Sequence, residues 1–236
     1  MLLSGLLGNF FPAFLFCIAE TKIDSALAGT LNVLTPIFVI LSGIVIYKNK
    51  FPVNKIWGII IGLAGSFLLF LTKKNDDSGQ VLYAGLIVLA TIFYGININM
   101  VQHQLKGVSS SIIASFAFTA LSIPSAIILY ATGYFSLPLG NEAFIKATAA
   151  SCTLGVAGTA IASIIYYMLM KRGGPIFASL VTYGIPFVAM AWGVYYGEQV
   201  TISQVLCLLI ILSGVYIVNL DFSKWKSRFQ KKTADS

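Results

Sequence analysis

The sequence predicts an all-α integral membrane protein of about eight transmembrane helices, and three observations predict it. Of 236 residues, 58% are apolar and only 10% charged, whereas a soluble domain carries about a quarter charged residues. The mean hydropathy is +0.88. Residues 1–19, 25–47, 56–72, 78–102, 107–141, 147–170, 173–197 and 199–220 contain no Asp, Glu, Lys, Arg or His. Crossing a bilayer takes roughly 20 apolar residues in a helix. The runs are continuous rather than alternating, which favours helices over barrel strands.

These runs define predicted helices α1 to α8 in chain order. The fifth is longer than one span, and its end at Gly133–Asn141 holds Pro138 and two glycines, so α5 is expected over about Ser110 to Thr132. The third is the shortest, at 17 uncharged residues. A cleaved leader at the start is disfavoured, because no basic residue precedes the apolar region and Asn9 and Pro12 interrupt it.

The net charge of +7 does not point to nucleic acid. Lys224, Lys226, Arg228, Lys231 and Lys232 crowd the tail, and the other basic residues mostly sit between apolar runs. That is juxtamembrane charge near lipid headgroups, not a basic folded face. The lipid bilayer is the expected partner. With the tail cytoplasmic, the basic residues divide 11 to 4 in favour of that side, which predicts a multi-pass plasma (inner) membrane protein with a cytoplasmic C-terminus. Cys17, Cys152 and Cys207 lie inside apolar runs at no metal spacing and read as buried small apolar residues.

A repeat near 150 residues is the most informative feature. Gly5-Leu6-Leu7-Gly8-Asn9 in α1 corresponds to Gly155-Val156-Ala157-Gly158-Thr159 in α6. Ala28 and Pro36 in α2 correspond to Ala178 and Pro186 in α7, and Tyr47 and Gly65 match Tyr196 and Gly214 after a one-residue slip. Helices five apart cross the membrane in opposite directions, so the repeat is inverted, as in many secondary transporters. The expected organisation is an incomplete first repeat of three helices over 1–72, a polar connecting loop over 73–80, a five-helix second repeat over 81–220, and a basic tail over 221–236. Counting helices this way leaves counterparts of α4 and α5 missing from a ten-helix plan.

With these residues the chain resembles the drug/metabolite transporter (DMT) superfamily, EamA type. In that family the fourth helix of a repeat has an Ala-containing start, a mid-helix Pro and a closing Gly-Glu, and a Gly-bearing helix follows. Here the second copy has Ala178, Pro186, Gly197-Glu198 and Gly214, while Lys48-Asn49 stands at the matching place in the first. The resemblance implies metabolite export by alternating access between the repeats.

Neutral polar and aromatic residues form the expected substrate site: Asn9, Asn32, Tyr94, Asn97, Thr159, Ser163, Thr182 and Tyr183. Asn9 and Thr159 are repeat mates, as are Asn32 and Thr182. Tyr94 and Asn97 lie three apart on one face of α4. Pro36 and Pro186 are the expected hinges, since each frees a carbonyl and bends its helix. Thr159, Ser163, Tyr166 and Tyr167 run along α6 at helical spacing, and the two tyrosines suit either a cavity wall or the membrane interface; Trp57 and Trp225 read as interface anchors, and His103 as interfacial. Gly58-x-x-x-Gly62 is a helix-packing pattern that serves either internal packing or a homodimer. No charged residue lies mid-helix, whereas proton-coupled carriers often keep one there and a phosphorylated substrate favours Lys or Arg. A small polar or amphipathic metabolite is therefore the expected substrate, with a neutral or zwitterionic one such as an amino acid fitting better than a sugar phosphate. No catalytic or metal constellation appears, no cofactor is implied, and an enzyme is not expected. The alternative is a non-transporting membrane scaffold or a nonfunctional truncated fragment.

Overall fold

The structure, a computed structural model, describes residues 1–48, 53–72, 78–138, 140–169, 171–172 and 184–219. The described residues form α1 (Leu2–Glu20), α2 (Ser25–Val45), α3 (Val53–Thr72), α4 (Ser78–Gln104), α5 (Ser110–Ala131), α6 (Glu142–Leu169), α7 (Ile185–Tyr195) and α8 (Ile202–Asn219). Five of these (α1, α2, α4, α5 and α6) are long and apolar enough to cross a membrane, and apolar segments of α3, α7 and α8 accompany them. Large apolar side chains such as Leu82, Ile123, Leu154 and Phe187 stand exposed on the outer faces. Such a surface suits hydrocarbon, because lipid imposes no cost on apolar exposure.

Local chemistry sets the helix ends. Ser109 Oγ accepts from Ile112 N–H at the start of α5, and Asn141 Oδ1 accepts from Ala143 N–H at the start of α6. At α8, Thr201 Oγ1 accepts from Gln204 N–H while Gln204 Oε1 accepts from Thr201 N–H, a reciprocal capping box. Helix α6 begins at Glu142, five residues before the uncharged run. Charge marked that boundary poorly: Glu142 favours the positive end of the helix and pairs with Lys146 one turn on, at 2.6 Å.

Helix α2 breaks where Pro36 demands it. Ser25–Asn32 and Thr35–Val45 are joined by a tightened turn, with Val33 N–H bonded to Thr30 O, Leu34 N–H to Leu31 O and Ile37 N–H to Leu34 O. Pro186 occupies the matching place at the start of α7. Wide π turns interrupt α1 at Leu6–Phe10 and α6 at Leu154–Ile161, so the turn containing Asn9 and the turn containing Thr159 share one irregularity. Such turns are rare within α-helices.

The helices that the sequence pairs pack against each other in antiparallel fashion. On α3 and α8, a Cβ at Gly214 would lie 2.7 Å from Gly58 O and overlap Gly62 N, while Gly65 faces Ile210 and Ile211. Gly58-x-x-x-Gly62 is thus engaged within the chain by α8. On α2 and α7, Gly29 meets Ala189 and Ser25 meets Glu198. On α1 and α6, Asn9 meets Ser163 and Ser4 meets Tyr167. Helix α4 crosses between them: Asn99 Nδ2 donates to Val39 O at 2.6 Å and to Ser42 Oγ at 2.8 Å, clamping α4 to α2.

Three expectations need correction. Cys17 and Cys152 are exposed and only Cys207 is buried, because the first two lie on outward faces of α1 and α6. Tyr167 is not an interface anchor: it is 3% exposed, within a cluster containing Ile98, Val101, Ile113 and Ala114. Tyr166 packs beside that cluster, half-buried. Trp57 is exposed, and Trp225 lies outside the described residues.

Candidate functional site

The polar residues gather where α1, α4 and α6 meet. Ser4 Oγ donates to Asn97 Oδ1 at 2.7 Å, and the same hydroxyl lies 3.5 Å from Tyr167 OH. Ser4 and Asn97 are both buried. Four to five residues along α1, Gly8 and Asn9 extend the same contact region. A Cβ at Gly8 would overlap Asn97 Nδ2 and lie 3.3 Å from Tyr167 OH, so only glycine lets α4 bring its amide this close. Ser163 Oγ donates to Asn9 Oδ1 at 3.1 Å. Ser163 and Tyr167 are one turn apart, which places both on one face of α6.

The expected residues divide by what they touch. Asn9 and Ser163 bond directly, and Asn97 bonds to Ser4, five residues before Asn9 on α1. Tyr94, one turn before Asn97, is half-buried with its ring 6.4 Å from that of Phe16. Thr159 turns back on its own helix, donating to Leu154 O at 3.3 Å within the π turn. Asn32 is buried and engaged by Thr35 of its own helix, through both its main-chain and side-chain oxygens. Thr182 and Tyr183 lie outside the described residues. Pro36 and Pro186 are both buried.

Ser4, Gly8 and Tyr167 belong to this contact region and are not among the expected substrate residues. Ser4 is an isolated hydroxyl near the start of an apolar run, without a polar repeat mate in the sequence. Tyr167 looked interfacial because Lys171 and Arg172 follow closely. The structure separates these roles: Lys171 Nζ reaches Leu105 O at 3.2 Å, where a cation suits the carbonyl end of α4, while Tyr167 turns inward.

The electrostatic character is neutral. The charged side chains Glu20, Glu142 and Lys146, and His103, stand toward the ends of these three helices. Among the described residues, no buried side-chain nitrogen or oxygen lacks a hydrogen-bond partner. A network of hydroxyls and amides like this can exchange internal bonds for bonds to a polar ligand, and it offers no fixed charge to a phosphate.

The helical architecture agrees with one family. The EamA-like transporter family profile matches residues 1–71 and 81–220. The chain belongs to that family. It is 23% identical over 213 residues to Protein PagO of Salmonella typhimurium strain LT2, covering 86% of this chain and 69% of PagO. It is 25% identical over 220 residues to Uncharacterized transporter YoaV of Bacillus subtilis strain 168, covering 86% of this chain and 70% of YoaV. Membership in the EamA-like family makes this a multi-pass membrane protein of transporter type.

Proposed function

We propose that the chain is a secondary transporter that moves small neutral or zwitterionic metabolites, such as amino acids, outward by alternating access between inverted repeats. The observation that carries this reading is two adjacent sets of neutral polar contacts between α1, α4 and α6, Ser4 with Asn97 and Tyr167, and Asn9 with Ser163. They combine hydroxyl and amide groups that serve both the amine and the carboxylate of a zwitterion. The antiparallel packing of α1 with α6, α2 with α7 and α3 with α8 supports the inverted repeat. So does the backbone after α2 and after α7, where Lys48 has φ 52° and Gly197 φ 85°. Pro36 and Pro186 act as the hinges, and residues 1–72 and 81–220 as the two repeats. The outward direction rests on the family resemblance. The plasma membrane location and cytoplasmic tail rest on the 11-to-4 division of basic residues.

The test is counterflow in proteoliposomes with a panel of radiolabelled amino acids, neutral amines and a sugar phosphate. Exchange of at least one amino acid is expected. It should fall about tenfold or more in Asn97→Ala and Asn9→Ala, since each removes a polar partner from the site, and persist in Trp57→Phe. Exchange of the sugar phosphate alone would overturn the substrate class.

A further inference from the structure

We propose that Glu198 is a positioning residue that latches α7 to α2 at one membrane face and holds that side of the transport pathway shut. The inference rests on the alternating-access reading above and adds a closure device to it. It begins with how α7 ends. Gly197 takes a left-handed backbone, φ 85°, which residues with a Cβ adopt at a cost. Glu198 N–H then bonds to Gly193 O at 2.8 Å and Gly197 N–H to Val194 O at 3.1 Å, closing the helix in a Schellman motif. The geometry fixes where Glu198 goes next. Its side chain lies across the last turn of α7, where a Cβ at Gly193 would overlap Oε2.

From there the carboxylate reaches the other half of the chain. Oε1 accepts from Ser25 N–H at 3.1 Å and Oε2 from Ala26 N–H at 3.2 Å. These are first-turn amides of α2, which have no partner within their own helix. Both oxygens of one anion are spent on the positive end of one helix, an arrangement stronger than neutral bonds. The two helices tied in this way are the two that carry Pro36 and Pro186. Opening this face must break both bonds at once.

The first half has no carboxylate at the matching place in its sequence. Lys48 holds the left-handed position that follows α2, and the sequence places Asn49, not a carboxylate, after it. The latch is therefore one-sided: it biases the resting transporter closed on the Glu198 face and open on the Lys48 face.

The test uses full-length protein in oriented vesicles, with Cys17, Cys152 and Cys207 changed to Ala and Ser163→Cys as a reporter. A membrane-impermeant maleimide is applied from each face. Glu198→Gln should raise labelling from the Glu198 face by about tenfold, the change expected when a charge-assisted bond is lost, and lower it from the Lys48 face. Ser25→Pro is the second variant. It deletes one donor at the first helical position, where proline is well tolerated, and Asp24 already has the extended backbone that must precede it. It should shift labelling the same way with Glu198 intact. Unchanged labelling in the folded variants, judged by monodisperse elution, would overturn the latch. Labelling does not require a transported substrate. With exchange assayed in parallel on protein that keeps Ser163, a shift without amino-acid exchange would therefore uphold the latch and count against the proposed substrate, and exchange without a shift would do the reverse.

Discussion

Thr35 donates its hydroxyl to the main-chain carbonyl of Asn32 across 2.8 Å. Pro36 makes this bond necessary. An α-helix would satisfy Asn32 O from the N–H four residues on, and that residue is a proline without one. Thr35 supplies the missing donor from the side, sharing it with Asn32 Oδ1 at 3.3 Å. A buried carbonyl left unpaired costs about 1–3 kcal/mol. Thr35→Val keeps the shape and removes the donor, so the apparent melting temperature in detergent should fall by about 2–8 °C. A melting temperature equal to the parent's would show that water or a rearranged turn already serves Asn32.

Lys48 pays for its backbone. It is the non-glycine residue with positive φ among the described residues, in the position that Gly197 fills after α7. A side chain there costs roughly 1–2 kcal/mol, offset in part by the greater freedom glycine has when unfolded. Lys48→Gly should stabilise the protein by up to about 1 kcal/mol, and Lys48→Pro should destabilise it, because proline cannot reach φ 52°. Thermal melts of the two variants against the parent decide it, and a destabilised glycine variant would mean that the lysine side chain makes a contact worth more than the strain.

Gly214 and Gly85 separate packing from propensity. A Cβ at Gly214 would press on the backbone of Gly58 and Gly62, which cannot rotate away, whereas Gly85 has nothing within 4 Å. Gly214→Ala should cost about 1–3 kcal/mol by overpacking. Gly85→Ala should be neutral or slightly stabilising, since alanine is the better helix former. If the two variants melt together, α3 and α8 are free to slide apart and the close approach is not required.

Helices were legible because their signal is long and one-dimensional. Each apolar run carries its own length and ends, and the break in α2 follows from one proline. The start of α6 was not, because Glu142 and Lys146 are compatible with a helix end but not with an uncharged run. Site membership was harder for the same reason that the helices were easy. Asn9 and Ser163 stand out as polar letters in apolar text, and the structure joins them. Whether Tyr167 faces lipid or protein depends on the rotation of α6 against α1, and nothing local in the sequence sets that angle. Glu198 was visible as part of a motif, yet its partners are amides of Ser25 and Ala26 more than 170 residues away, which carry no side-chain signature.

Gly8 and Gly158 are matched by the repeat but not by their surroundings, and this difference yields the last prediction. At Gly158 a Cβ would meet only Leu154 of its own helix, at 2.8 Å from Cδ1, and a flexible side-chain tip can move. At Gly8 the methyl would overlap Asn97 Nδ2 and crowd Tyr167 OH. The amide is held in turn by Ser4, which donates to its oxygen, so moving it disturbs the network on both sides. Gly8→Ala should therefore weaken apparent substrate affinity by about tenfold, a loss equivalent to about 1.4 kcal/mol. Gly158→Ala should leave affinity within about twofold, since surface-type substitutions usually fall within ±0.5 kcal/mol. Concentration-dependent counterflow of the two variants measures both. Equal effects would mean that the two glycines serve only helix packing, and that the cluster around Asn97 is not where the substrate binds.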